Sequence, residues 1–234
     1  MPTTPRARAR AQTMNDIVRI GREHLATDGA AALSLRAVAR DLGVVSSAVY
    51  RYVSSRDELL TLLVVDGYNA LGDTVDAALA AAPDDPIEQL RVLARTVRGW
   101  AHAESARYGL LFGTPVPGYQ APADQTMAPG TRVITTLQTL FARAYQADLL
   151  HSPAAEPRVS APLAANFAQI RDEFRLDLPD WLLARGITFW ASLFGTISAD
   201  VFDMYGTDTF DDRDELFEHQ LDGLLDMLGY RATA

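Results

Sequence analysis

The sequence predicts an all-α protein with a small N-terminal head, a long connecting helix and a larger helical bundle. Two observations favour this class. Apolar residues recur at helical spacing over most of the chain, and the strict alternation of a half-buried strand is missing. Helix-start and helix-stop signals such as Ser34, Ser55 and Asp28-Gly29 bracket the periodic segments. At 234 residues and 48% hydrophobic content, the chain is long enough to bury one or two cores.

The elements of the head follow from capping residues. Thr13 and Asp16 start a first helix that ends at Asp28-Gly29, and the Pro-, Thr- and Arg-rich leader before it, residues 1–12, is predicted to be a disordered arm. Ser34 caps a second helix that runs to about Leu42. We expect a third helix at about residues 46–53.

A full capping box, Ser55 to Glu58, opens a long fourth helix over residues 56–81. Pro83 and Pro86 then break the pattern. We therefore predict a helical head domain at residues 13–59 and a body domain at residues 82–234. Further helices are expected at about 86–104, 105–112, 131–148, 158–174, 179–205 and 212–228, with a Pro- and Gly-rich loop at 113–129 and a linker at 149–157.

Charge divides the chain at the same place. The formal net charge is −9, yet residues 1–57 hold nine Arg against five acidic residues, a net of +4. The remainder holds twelve Arg against 25 acidic residues, a net of −13. A basic head on an acidic body directs the head towards phosphate and repels phosphate elsewhere.

The segment 34–59 has the layout of two short helices that cross at a tight turn. Ala39 is small where the helices must approach closely. Gly43 follows four residues later, where the turn requires a positive φ, and Val49 follows six residues after that and faces the core. This layout is typical of a helix-turn-helix that reads DNA, and an ordinary three-helix core is the alternative.

Residues 13–65 resemble the tetracycline-repressor (TetR) family of bacterial transcription regulators. The matching residues are Leu35-Arg36-x-Val38-Ala39, Leu42-Gly43-Val44, Ala48-Val49-Tyr50-x-Tyr52-Val53 and Ser55-Arg56-Asp57-Glu58-Leu59. The resemblance implies a DNA-binding head and an all-helical C-terminal domain that binds ligands and dimerises. Residues 108–119, YGLLFGTPVPGY, resemble one branch of that family's C-terminal domains.

One position departs from the family pattern. Members usually carry Ser or Thr directly after Gly-Val as the cap of the recognition helix, and this chain has Val45 there. Valine cannot accept hydrogen bonds from the first amides of the helix. The helix start is therefore expected to lose about 1 kcal/mol unless Ser46 caps it one residue later.

The resemblance and the helix facing assign roles within the head. The candidates for base or groove contact are Arg36, Ser46, Ser47 and Tyr50, and the candidates for phosphate contact are Arg51, Tyr52 and Arg56. A bidentate contact from Arg36 to guanine would contribute about 1–3 kcal/mol of discrimination, whereas a solvated arginine is the alternative. We favour phosphate for Tyr52 and keep core and DNA roles open for Tyr50. The arm is either a solvated tail or a groove or phosphate contact.

The last two predicted helices carry more large apolar residues than one stripe can bury, which favours a dimer interface over a monomer core. The candidates are Trp181, Ile187, Phe194, Val201, Phe217, Leu221 and Leu224, and the small residues Gly186, Ala191, Gly195 and Ala199 would permit close helix approach. A helical body can also enclose an apolar effector pocket. Its candidates, each with core packing as the alternative, are Trp100, His102, Tyr108, Phe112, Tyr119, Met127, Phe141, Tyr145, Phe167, Ile170, Phe189 and Trp190.

Several classes of protein are disfavoured. Cysteine is absent, which excludes disulfides and thiolate sites. The four histidines lack metal-ligand spacing, and there is no phosphate loop or nucleophile elbow, so we expect neither an enzyme nor a cofactor. No run of about 20 unbroken apolar residues and no secretory signal is present, which favours a cytoplasmic protein.

We therefore predict a homodimeric transcriptional regulator that binds double-stranded DNA sequence-specifically, a repressor released from a palindromic operator by a small hydrophobic effector. The alternative is a ligand-independent DNA-binding or architectural protein whose body only dimerises, and a helical enzyme with an appended head is a third possibility. A body cavity of roughly a few hundred cubic ångströms lined by the aromatic candidates would favour the sensor, and a sealed body would favour the alternative.

Overall fold

The computed structural model describes residues 4–154 and 158–231. These residues confirm the all-α class, since they hold ten α-helices, one short 3₁₀ turn at Ala30–Ala32 and no extended strand beyond an isolated bridge between Leu150 and Tyr230. The helices are α1 Pro5–Asp28, α2 Leu35–Asp41, α3 Ser46–Val49, α4 Arg56–Ala81, α5 Pro86–Ala103, α6 Ser105–Phe112, α7 Ala123–Gln146, α8 Ala161–Phe174, α9 Asp180–Val201 and α10 Arg213–Leu228.

The chain forms two compact units, and each unit is built from two separate segments of the chain. The head unit comprises Met1–Gly72 and Ala103–Gly130, and the body unit comprises Asp73–His102 and Thr131–Ala234. The boundaries of these units differ from those of the predicted domains, since Ala103–Gly130 belong to the head unit. The reason is that α6 packs on α1, and residues such as Leu110, Val116 and Tyr119 pack against the core of the head. Helical periodicity reports which face of a segment is buried, but it does not report what covers that face.

The expected disordered arm is wrong for residues 5–12, which form the first turns of α1. Thr4 caps the helix, with its hydroxyl oxygen accepting a hydrogen bond from the amide of Ala7 at 3.2 Å, and Pro5 occupies the first helical position, which suits proline. The alternating Arg and Ala residues that follow have high helix propensity. Residues 1–3 lie outside the described residues.

Two further elements differ from their predicted bounds. The recognition helix α3 ends at Val49, and the chain continues as turns in which the amides of Tyr52 and Val53 donate to the carbonyl of Val49 at 2.8 and 3.0 Å. Helix α7 begins at Ala123 and contains Pro129, so the predicted loop 113–129 ends at residue 122. Composition misled this prediction because proline counts against a helix interior.

A buried carboxylate connects helices α5 and α9 of the body. Asp200 on α9 is 6% exposed and accepts hydrogen bonds from Arg98 Nε and His102 Nε2, both at 2.8 Å. Burial raises the pKa of Asp200, but the hydrogen bonds from His102 and Arg98 outweigh that effect and hold the pKa below its ordinary value. The pair of bonds fixes α5 against α9.

Helices α9 and α10 pack against each other, and α8 packs on α9. By length and composition alone α9 is apolar enough to cross a membrane, with 33% of its most apolar window buried, but the core helix of a soluble protein passes the same test. Some of the large apolar residues of α9 fill the core of the body, whereas others remain exposed.

Candidate nucleic-acid interface

The helix-turn-helix has the geometry that its spacing predicted. Ala39 is 1% exposed and Val49 is 2% exposed, and both belong to the core shared by α1, α2, α3 and the start of α4. Gly43 has φ +69°, a conformation that favours glycine, and the amide of Val44 donates to the carbonyl of Ala39 at 3.0 Å to close the end of α2. The turn therefore holds α3 in a defined position on a buried core.

The start of the recognition helix lacks a side-chain cap, as the sequence suggested. Val45 occupies the cap position with φ −69° and ψ 144°, and Ser46 is the first helical residue rather than a replacement cap. Val45 is 71% exposed and its neighbour Val44 is 44% exposed. Two apolar side chains thus project from the surface at the helix end that would enter a groove.

Most of the predicted base-contacting residues lie on the surface. Arg36, Ser47 and Tyr50 are exposed, as is Arg51, whereas Ser46 is half-buried. Among the residues that the structure describes, neither Arg36 nor Arg51 has an ion-pair partner, so both guanidinium groups are available to an external anion.

Arg40, on the same helix as Arg36, has an ion-pair partner within the head. Arg40 lies 3.1 Å from the carboxylate of Asp41, which also makes a 2.6 Å contact with His24 Nε2. The hydrogen bond from His24 and then that from Arg40 hold the pKa of Asp41 below its ordinary value. The positive charge of Arg40 is therefore partly used within the head.

The structure adds a cation that the sequence analysis did not single out. The guanidinium of Arg10, in the first turns of α1, lies 5.2 Å from the ring centre of Tyr52, which belongs to the turns that follow the recognition helix. Arg6 is one helical turn before Arg10 and shares its face. The i, i+4 spacing of the two arginines was visible in the sequence, but it has meaning only once residues 5–12 are known to be helical.

Arg56 is used inside the head, which is at odds with its predicted phosphate contact. Its Nη2 donates to the carbonyls of Ala30 and Ala31 at 2.9 and 3.2 Å, and its Nη1 lies 3.7 Å from Asp57. These carbonyls belong to the 3₁₀ turn that follows α1. The geometry gives Arg56 a positioning role, because it fastens the start of α4 to that turn.

The capping box of α4 is present in a shifted form. The amide of Glu58 donates to Ser55 Oγ at 3.1 Å, while the Glu58 carboxylate accepts hydrogen bonds from the hydroxyl and the amide of Ser54, both at 2.6 Å. The two bonds from Ser54 hold the pKa of Glu58 below its ordinary value. The junction between α3 and α4 is thereby held by paired groups.

The predicted effector residues fall into both units. Tyr108, Phe112, Tyr119 and Met127 belong to the head unit, where Tyr119 contacts the hydroxyl of Thr61 at 3.1 Å. The body unit holds Trp100, His102, Phe141, Tyr145, Phe167, Ile170, Phe189 and Trp190. Within the body, Phe141 and Phe189 form an edge-to-face pair with ring centres 5.3 Å apart.

Phe141 also lines a cavity between α7 and α9. The cavity measures about 10 Å³, room for about one water molecule. Its lining is apolar apart from one amide and comprises Ile134, Leu137, Gln138, Phe141, Leu178, Leu182, Leu183, Gly186 and Ile187. This volume is far below the size that we expected for an effector pocket.

Burial divides the predicted dimer residues into two groups. Trp181, Phe194, Phe217 and Leu221 are at most 8% exposed in the single chain, so the prediction of a partner contact is wrong for them. They fill the core of the body. Ile187 is 45% exposed, and Val201 and Leu224 are half-buried.

The small residues of α9 divide in the same way. Gly186 is buried, and a Cβ there would lie 3.0 Å from the ring of Phe141, so its small size serves packing inside the body. Ala191 and Gly195 are exposed, and a Cβ on Gly195 would meet open space. Together with Ile187 they follow one another at four-residue spacing on the outer face of α9.

This chain matches two family models and known transcriptional regulators. A family model of bacterial regulatory proteins of the tetR family matches residues 13–63, and a model of the tetracyclin repressor-like C-terminal domain matches residues 90–224. The HTH-type transcriptional regulators Rv1816 of Mycobacterium tuberculosis (strain ATCC 25618 / H37Rv) and Mb1846 of Mycobacterium bovis are each 45% identical to this chain over 214 residues. Those alignments cover 91% of this chain and 90% of each relative.

Solved structures share the fold. The crystal structure of the regulatory protein SCO4313 superposes with a TM-score of 0.76 at 33% identity and covers 95% of this chain and 100% of its own. PfmR, a TetR family transcriptional regulator from Thermus thermophilus, superposes with a TM-score of 0.57 at 16% identity over 93% of this chain and 99% of its own.

Proposed function

Because this chain belongs to the tetracycline-repressor family of transcriptional regulators, we propose that it is a homodimeric repressor whose two heads bind a pseudo-palindromic operator and release it when a small apolar effector binds the body. The family is one of DNA-binding regulators rather than enzymes. A cytoplasmic location is part of the proposal, since a regulator must reach the DNA that it controls.

The exposed arginine and polar surface around α3 carries the DNA-binding part of the proposal. Arg36 and Ser47 read base edges, while Arg51, Tyr52 and Arg10 contact phosphates. Arg56 positions α4 instead of contacting DNA. A single head that relies on phosphate contacts binds non-specific DNA with a Kd of roughly 10⁻⁴–10⁻⁶ M, so specific regulation requires two heads.

The outer face of α9 supports the dimer. Ile187, Ala191 and Gly195 form an exposed stripe of apolar or small residues, and Gly223 and the half-buried Leu224 lie on α10, which packs beside α9. Small residues allow two helices to approach closely, and a two-fold axis brings the same face of each protomer together. Such a dimer predicts operator half-sites about one helical turn apart, or a multiple of that distance.

One observation favours the rival function, a ligand-independent DNA-binding protein whose body only dimerises. The cavity between α7 and α9 has room for about one water molecule. Footprinting with and without apolar effectors separates the two functions, because only a sensor loses its operator when an effector is added.

The DNA-binding proposal is tested by footprinting the full-length protein on its own upstream DNA. We expect a protected pseudo-palindrome. Arg36→Ala should relax base preference, whereas Arg51→Ala should weaken all sequences alike and reduce the salt slope by about one. Arg40→Ala is the matched control, since Arg40 is exposed on the same helix as Arg36 but is paired with Asp41. Absence of a protected palindrome would refute the proposal, and equal effects of the first two variants would refute the division of roles.

The dimer is tested independently of DNA by light scattering of the purified protein. Gly195→Glu places a charge on the outer face of α9 and should convert the dimer to a monomer. Gly99→Glu is the control, because Gly99 is an exposed glycine of α5 with open space around it. If Gly195→Glu remains as dimeric as Gly99→Glu, the interface lies elsewhere.

A further inference from the structure

A buried polar atom in the body has no partner. Gln138 on α7 is 8% exposed, and its side-chain oxygen Oε1 has no hydrogen-bond partner among the described residues. The residue lines the cavity between α7 and α9, where its neighbours Ile134, Phe141, Leu182 and Ile187 are apolar. An unpaired buried acceptor destabilises a fold, so natural proteins rarely retain one without a use.

A structural water explains Gln138 poorly. The cavity of about 10 Å³ has room for one water, but a buried water normally has two to four polar partners, and this lining offers a single amide.

Gln89 shows how the same body satisfies a glutamine that needs no ligand. It is also 8% exposed, yet its Nε2 donates to the carbonyl of Pro83 at 2.9 Å and its Oε1 accepts from Arg143 at 2.6 Å. The unpaired side-chain oxygen of Gln138 is therefore a property of this pocket rather than of buried glutamines in the body.

We propose that the pocket between α7 and α9 is the effector site, and that it takes a mainly apolar, uncharged molecule that donates one hydrogen bond to Gln138 from a hydroxyl or an amide N–H. This inference rests on the proposed function. The lining contains no charged residue, so an ionised group would lose its hydration without gaining a counter-charge. The ligand class therefore excludes carboxylates and amines that are charged at neutral pH.

A ligand must open this pocket at its outer end, because the space of about 10 Å³ has room for about one water molecule. Ile187 lines this space and is 45% exposed, so its side chain can turn outwards without leaving a packed core. Gly186 packs directly against the ring of Phe141, since a Cβ there would lie 3.0 Å from that ring, so the opening has to come from Ile187.

The same residue links the pocket to the dimer face. Ile187 lies on the outer stripe of α9 that we propose for the interface, so a ligand that displaces it also changes the surface presented to the second protomer. A ligand shifts a conformational equilibrium only through its different affinity for the two states. Displacement of Ile187 supplies that difference at the subunit contact.

The test uses the full-length protein with labelled isoleucine methyl groups, 1-octanol and 2-naphthol as hydroxyl probes, and octanoate as the charged counterpart of octanol. Both hydroxyl probes should shift the NMR signals of Ile134 and Ile187, and those of Ile17 in the head and Ile87 on α5 should remain in place. Octanoate at pH 7 should bind at least about tenfold more weakly than octanol. Gln138→Leu should weaken the binding of octanol about fivefold, the effect of one neutral hydrogen bond.

Gln89→Leu is the matched control, since it removes a buried glutamine outside the pocket and should leave the affinity for octanol unchanged. The inference is overturned if neither hydroxyl probe shifts Ile134 and Ile187, or if Gln138→Leu binds octanol as well as the parent protein. Operator release by an effector that leaves both methyl signals unmoved would refute this pocket and retain the proposed function. Binding at Gln138 without any release of the operator would retain the pocket and refute the proposed sensing.

Discussion

Replacing Val45 with serine should stabilise the recognition helix. Val45 occupies the cap position of α3 with extended backbone angles, and no side chain caps this end. A serine hydroxyl in this backbone conformation can accept a hydrogen bond from one of the first amides of the helix. Because Val45 is 71% exposed, the substitution removes little buried apolar surface.

The expected gain is about 1 kcal/mol, the usual difference between a capping and a non-capping side chain. Helix α3 has four residues, so one additional bond is a large share of its local stability. A change of about 1 kcal/mol corresponds to roughly a fivefold change in the equilibrium between closed and open helix. The effect should be local, because the core beneath Val49 is unchanged.

Native-state hydrogen exchange measures this quantity directly. The amides of Ala48 and Tyr50 donate to the carbonyls of Val45 and Ser46 at 2.9 and 3.1 Å, and their protection should rise about fivefold in Val45→Ser. Val44→Ser is the matched control, since Val44 is an exposed valine one residue before the cap and gains no capping bond.

Equal protection in the two variants would refute the capping argument. A second outcome is informative about DNA. If Val45→Ser raises the protection of α3 but weakens the operator complex, the exposed valine contributes an apolar contact to DNA, of the kind that side chains make with the thymine methyl group. The uncapped helix start would then be a feature of recognition and not only a local defect.

Three further predictions concern paired and unpaired groups. Arg56→Ala should lower the free energy of unfolding of the head by about 1.5 kcal/mol, measured by urea denaturation, because two backbone carbonyls lose a charged donor. Gln138→Leu should raise the free energy of unfolding of the body by about 1 kcal/mol, because it removes a buried oxygen that has no partner among the described residues. Gln89→Leu should lower it by about 1–3 kcal/mol, because it leaves Arg143 without its acceptor. If both variants changed the free energy of unfolding in the same direction, the hydrogen-bond assignment would be contradicted. The pKa of Glu58 lies below its ordinary value of 4.5, so its contribution to stability is present above pH 4.5 and is lost as the pH falls through the folded pKa. Ser54→Ala should raise that pKa towards 4.5 in an NMR titration, and an unchanged pKa would mean that the hydroxyl of Ser54 does not hold the carboxylate.

Local signals predicted the head well. Gly29 and Gly43 end their helices with positive φ, and the long helix runs from Arg56 to Ala81 as its capping box and the following prolines indicated. Each of these features depends on residues within about one helical turn. Composition was a poorer guide, since proline and arginine suggested a disordered arm before Thr13 and a loop around Pro129 that the structure shows as helix.

The sequence by itself determined the helical class, the helix-turn-helix and the uncapped start of its recognition helix, because spacing and capping act over a few residues. Only the tertiary structure decided which side chains remain available for partners. Trp181 and Phe194 are core while Ile187 is exposed, although all three lie on the same apolar helix. Arg56 binds carbonyls 25 and 26 residues away, whereas Arg36 has no ion-pair partner among the described residues. Whether an apolar side chain is buried and whether a charged side chain is paired depend on neighbours that folding brings from distant parts of the chain. No local pattern contains that information.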